Sequence, residues 1–132
     1  MIAKAVHSMI RVRDEARSIA FYKAAFGLEV ADRFDFPTFT LVYLSNAESA
    51  FELELTINKD QAAAYDLGDG YGHLAVVVAD VDAARAEAVT AGIPATECRD
   101  FQHDGTTLAR FFFMTDPDGY KIEVIRRGGR FG

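Results

Sequence analysis

Hydrophobic and polar positions follow one order of elements twice along the chain. HSMIRVRD (7–14) and HLAVVVAD (73–80) each open on a histidine, run through a short alternating strand and end on an Asp suited to capping a helix N-terminus. His7 and His73 stand 66 residues apart, as do Asp14 and Asp80, and 66 is half of the 132-residue chain. After Asp14, residues Ile19, Tyr22 and Phe26 recur at helical spacing before Gly27. After Asp80, residues Val81, Ala84, Ala88 and Ala91 keep the same rhythm before Gly92, and both glycines fall where a helix C-cap belongs. Strand-like segments follow each glycine: LEVADRFDF, TFTLVYL and AFELELTI in the first copy, PATECR, LARFFFMT and YKIEVI in the second. Pro37, SNAES (45–49) and DPDG (116–119) supply turn signals, and RDFQHDG (99–105) reads as a loop. The pattern predicts two βαβββ modules, over 1–57 and 73–125, joined by the linker NKDQAAAYDLGDGYG (58–72). A Gly-rich tail, RRGGRFG (126–132), is expected to fray.

Composition narrows the class. Half the residues are hydrophobic and 26% are charged, which fits a single globular domain and neither a disordered nor a membrane protein. The longest uncharged apolar run, Leu74 to Ala79, is too short to cross a bilayer. Polar residues from His7 onward interrupt the N-terminus before an apolar signal segment can form, so the expected location is cytoplasmic. Cys98 is the lone cysteine and is expected to be an inert strand residue, in keeping with a reducing compartment. A net charge of −6 argues against a nucleic-acid partner that relies on a broad basic surface.

The chemistry lies in which faces the polar residues occupy. Strand side chains alternate, so Phe51, Leu53, Leu55 and Ile57 share one face while Glu52, Glu54, Thr56 and Asn58 share the other. By the same parity His7, Met9 and Arg11 lie opposite Ile10 and Val12, His73 lies opposite Leu74, and Glu123 lies opposite Ile122 and Val124. Each module thus offers one His on its first strand and a carboxylate on its last, although parity alone does not choose between Glu52 and Glu54. Two imidazoles and two carboxylates make a hard-to-borderline donor set suited to Ni, Co, Fe, Mn or Zn.

HSMIRVRD with SIAFYKAAFGLEV, ELTIN (54–58), YDLGDGYGHLAV (65–76) and DPDGYKIEV (116–124), in that order, resemble glyoxalase I of the vicinal oxygen chelate superfamily, in its short bacterial form. The resemblance covers nearly the whole chain and implies an α+β fold whose two modules form a curved eight-stranded mixed sheet. It implies His7, Glu54, His73 and Glu123 as metal ligands, because the family's first carboxylate ligand precedes Leu-Thr, which selects Glu54 over Glu52. Glu123 would be the catalytic base with Glu54 as its counterpart, while Arg11 and Asn58 would hold the γ-glutamyl end of glutathione. The implied reaction is a lyase-class isomerisation of the methylglyoxal–glutathione hemithioacetal to S-lactoylglutathione through an enediolate. Also implied are one divalent metal per site, Ni2+ or Co2+ favoured and Zn2+ accommodated, and a homodimer with sites shared between chains.

One departure bears on the thiol. The stretch DFQHDGTTLARFFFMT (100–115) lacks the Lys that the family places near the glycyl end of glutathione; His103 and Arg110 are its basic residues, and neither is assigned. An enzyme of this superfamily acting on another thiol adduct therefore stays open beside the main reading. A dioxygenase with a two-His, one-carboxylate iron site and a metal-free antibiotic-binding protein of the same fold are the further alternatives.

Overall fold

A computed structural model describes residues 1–132, and the chain divides into two compact units, Met1–Asp66 and Leu67–Gly132. The first contains β1 (His7–Arg11), α1 (Glu15–Phe26), β2 (Glu29–Asp35), β3 (Phe39–Asn46) and β4 (Ser49–Asn58). The second contains β5 (Leu74–Val78), α2 (Val81–Thr90), β6 (Arg99–His103), β7 (Thr106–Thr115) and β8 (Lys121–Arg126). The βαβββ order thus occurs twice. Hydrogen bonding groups the eight strands as two mixed sheets of four, ordered β1-β4-β3-β2 and β5-β8-β7-β6. In each, the first strand runs parallel to the last and the other pairings are antiparallel.

Both helices begin as their sequence dictates. Asp14 and Asp80 have extended backbone, and their side chains accept from the amides of Arg17 and Ala83 at 3.0 Å each, satisfying donors the helix leaves unpaired. Gly27 ends α1 with φ +64°, a conformation that costs glycine nothing. In α2 the cap is Ala91, in helical conformation, and the positive φ falls one residue later, on Gly92.

Parity decides the core. Thr40, Val42 and Leu44 of β3, Leu53, Leu55 and Ile57 of β4, and Ile10 of β1 are buried with Val12 and with Ser18 and Tyr22 of α1. In the second unit Phe112, Met114, Ile122 and Val124 are buried with Val81 and Ala88 of α2. Removing Tyr22 or Phe112 from water contributes about 2 kcal/mol each.

Two sequence expectations require correction. PATECR (94–99) is not one strand: Ala95 forms an isolated bridge to Met114, and only its last residue, Arg99, enters β6. The residues read as a loop, 99–105, instead form β6 and the turn into β7, with Arg99 opposite Phe111 and His103 opposite Thr106. Asp104 (φ +49°) and Gly105 (φ +77°) make this a two-residue hairpin turn with both central residues left-handed, the geometry that Asp-Gly favours. Every residue of β6 is exposed, so no hydrophobic alternation marks it.

Candidate active site

In the first unit, parallel pairing sets His7 opposite Glu52 and Met9 opposite Glu54, and the pleat turns all four side chains to one face. His7 reaches diagonally past its direct partner, and its Nε2 lies 2.7 Å from Oε2 of Glu54. Glu54 is buried at 8% exposure, and an ionised carboxylate so placed needs polar partners. The imidazole is one. Tyr43, directly opposite Glu54 across the β3/β4 ladder, brings its phenol to the same carboxylate. Burial, and then the charge of Glu54, push the Tyr43 pKa up, so the phenol stays protonated and able to donate. The ring of His7 also meets that of Tyr43 edge-on at 5.7 Å, fixing the imidazole plane.

The second unit repeats the stagger. His73 directly precedes β5, where Leu74 pairs with Ile122 and Ala75 with Glu123, so the histidine again addresses a carboxylate diagonally. His73 Nε2 lies 3.6 Å from Glu123 Oε2. The residue opposite Glu123 is Phe113, whose ring meets His73 edge-on at 5.1 Å and carries no polar atom. The Glu123 side chain is 22% exposed, against 11% for Glu54. The parity of β3 and β7 placed Tyr43 and Phe113 on these faces, and reading sequence for charged residues alone missed both.

Of the two candidate carboxylates on β4, Glu54 is the one in contact with His7; Glu52 is half-buried beside it. Arg11 pairs opposite Thr56, with Asn58 two residues on, the same diagonal that relates His7 to Glu54. Four residues of strand separate the two diagonals, about 13 Å. Arg110 is engaged elsewhere. Its Nε and Nη2 donate to Asp82 at 3.0 and 2.7 Å and its Nη1 to Asp100 at 3.2 Å, tying β7 to α2 and β6; these carboxylates push its pKa up. His103 is exposed at the hairpin, with Nδ1 3.7 Å from Asp104. Cys98, expected within a strand, lies just before β6, its thiol 3.9 Å from the Val81 carbonyl, and burial pushes the thiol pKa up. Asp116, buried in the DPDG turn, accepts from the amides of Asp118 and Tyr120 at 2.9 Å each and so shapes the approach to β8.

No group of three or more His, Cys, Asp or Glu side chains converges; histidine–glutamate pairs occur one per unit. Each pair brings an imidazole nitrogen beside a carboxylate oxygen, a donor chemistry that fits a divalent cation. No helix is long and apolar enough to cross a membrane.

Residues 4–124 match the model of the Glyoxalase/Bleomycin resistance protein/Dioxygenase superfamily, and the chain belongs to that superfamily. Within it the chain stands with the glyoxalase I enzymes. The lactoylglutathione lyase of Haemophilus influenzae is 40% identical over 126 residues, covering 91% of this chain and 90% of that protein. That of Neisseria meningitidis serogroup A is 37% identical over 127 residues, covering 92% and 89%. Among solved structures, the trypanothione-dependent glyoxalase I of Leishmania major aligns with a TM-score of 0.79 at 34% identity, over 95% of this chain and 87% of that one.

Proposed function

We propose that the chain is a cytoplasmic lactoylglutathione lyase that isomerises the hemithioacetal of methylglyoxal and glutathione to S-lactoylglutathione through an enediolate, detoxifying methylglyoxal. The observation that carries this reading is the histidine–glutamate diagonal built twice, His7 with Glu54 and His73 with Glu123, in a chain whose relatives are lactoylglutathione lyases. The four side chains are the metal ligands of this reading, with Ni2+ or Co2+ as the preferred ion and Zn2+ as an accommodated one. When bound, a divalent ion with two open positions supplies Lewis-acid stabilisation of the charge that develops on the two vicinal oxygens.

The chain's own residues do the rest. Glu123 takes the proton from the carbon that bears sulfur and delivers it to the neighbouring carbon, so no net proton is gained or lost. Glu54 is its counterpart on the other side of the site. Arg11 offers a fork of N–H donors to the α-carboxylate of the γ-glutamyl arm, and Asn58 offers an amide to its polar groups. Their diagonal, about 13 Å along the strands from that of His7 and Glu54, suits a tripeptide arm held at one end and reacting at the other. Since each unit holds one histidine–glutamate pair, a site of four needs two units, and we take these from two chains of a homodimer, the first unit of one with the second unit of its partner.

The test is isomerase activity of chelator-stripped protein given methylglyoxal and glutathione, with Ni2+, Co2+, Zn2+, Mn2+ and Fe2+ restored singly and thioester absorbance followed. Activity returning with Ni2+ or Co2+ is expected. Stoichiometric metal uptake without thioester from any ion would overturn the substrate, and trypanothione would be the next thiol to try. Sedimentation at micromolar concentration tests the dimer; a fully active monomer would rule out the shared site.

A further inference from the structure

We infer that Tyr43 is a positioning residue that holds Glu54 as the stationary carboxylate of the site, leaving Glu123, faced by Phe113, as the one free to shuttle a proton. The inference rests on the ligand assignment above and gives the two glutamates unequal roles through a residue outside the ligand set. Its basis is a difference at one position of a repeated frame. In both units the residue directly across the antiparallel ladder from the glutamate is aromatic, and in both its ring stands edge-on to the histidine. In the first unit that ring carries a hydroxyl at the carboxylate; in the second it carries none.

The surroundings reinforce the difference. Tyr43 is itself fixed, with the ring of Phe34 edge-on at 6.2 Å and a register shift between Val30 and Asp32 of β2 beside it, the kind of bulge that re-aims a neighbouring side chain. Glu54 sits closer to its histidine, 2.7 Å against 3.6 Å, and is half as exposed as Glu123. A carboxylate given a second donor has fewer orientations open to it and binds a cation in a defined geometry. A carboxylate facing only a phenyl edge keeps its freedom to swing between a cation and a carbon-bound proton.

Exchange of the two aromatic residues tests this. Tyr43→Phe is expected to raise the Kd for Ni2+, measured by competition with a chelating dye, about tenfold, with KM for the hemithioacetal within about twofold. Phe113→Tyr is expected to lower kcat about tenfold while Ni2+ binds as tightly as before or tighter, because the base is now tethered. The visible spectrum of the Co2+ form should change in Tyr43→Phe and report the loosened ligand directly. A folded Tyr43→Phe protein that binds Ni2+ with the parental Kd would overturn the role of Tyr43, as would Phe113→Tyr turning over at the parental rate. A parent chain that takes up no divalent metal would instead remove the ligand assignment itself, and the inference with it.

Discussion

The two units share a backbone plan and distribute bulk in opposite ways. In the first, the helix supplies the large buried ring, Tyr22 of α1, and the buried β3 residue next to Tyr43 is the small Val42. In the second, the helix position 66 residues on is Ala88, and the strand position beside the glutamate-facing aromatic is Phe112. An interior packed to crystalline density needs a constant total volume rather than the same residue at each place, so the large buried ring can sit on the helix in one unit and on a strand in the other. The carboxylates show a parallel contrast: Glu54 is buried and close to its histidine, Glu123 is more open and further away. What the duplication preserves is the diagonal from histidine to glutamate; what surrounds it has diverged.

The sharpest way to break the equivalence of the halves is to neutralise each glutamate. Glu123→Gln is expected to cut turnover by about 10²- to 10⁴-fold with metal uptake largely retained, while Glu54→Gln shows first as weakened metal binding. Near-normal turnover by a metal-loaded Glu123→Gln enzyme would remove the base from Glu123. The exchange of bulk is probed by denaturant melts: Tyr22→Ala and Phe112→Ala should each cost about 3–5 kcal/mol, and Ala88→Gly, at the α2 place matching Tyr22, about 1 kcal/mol. A loss below 1 kcal/mol in Phe112→Ala would show that the second core does not depend on that ring.

The smallest effect concerns ion pairs within each unit whose contribution is lost in acid. The Arg110 guanidinium holds the Asp82 carboxyl below its ordinary range, and Lys59 with Thr40 does the same for Asp35. A carboxylate whose pKa is depressed by folding stabilises the fold above its unfolded value, about 3.9, and loses that contribution as pH falls through the depressed folded value. Asp82→Asn should therefore melt slightly below the parent at pH 7, with the gap closing as the pH is lowered past 4. A gap that persists or widens in acid would assign the effect to packing instead of charge.

Much of this was readable from residues alone, and the failures have physical causes. Asp14 and Asp80 announced both helices because an N-cap is a local bond between a side chain and an amide three residues away. Alternation gave β3, β4, β7 and β8 because apolar residues hold one face of each, even in β4, where Glu54 and Thr56 on the other face are buried too. It was silent on β6, whose five residues are all exposed, and there the Asp104-Gly105 pair was the available signal. Alternation also put Glu52 and Glu54 on one face without separating them, since the choice depends on how β1 is staggered against β4, a non-local fact. Tyr43 went unnoticed for the same reason: its significance is the residue across the ladder, 11 positions along the chain.

That stagger also sets an order of assembly. The hairpins β2-β3 and β3-β4, like β6-β7 and β7-β8, join neighbours in sequence and close short loops, whereas β1 pairs with β4, and β5 with β8, across sequence separations of 45 and 48. Closing the longer loop costs more entropy, and pairings of that kind are slow. His7 and Glu54 lie on this long-range seam, as do His73 and Glu123, so each pair depends on a distant closure and not on a local turn. If these pairs are the ligands proposed above, a nascent or partly unfolded chain has no half-formed chelate with which to capture a metal ion.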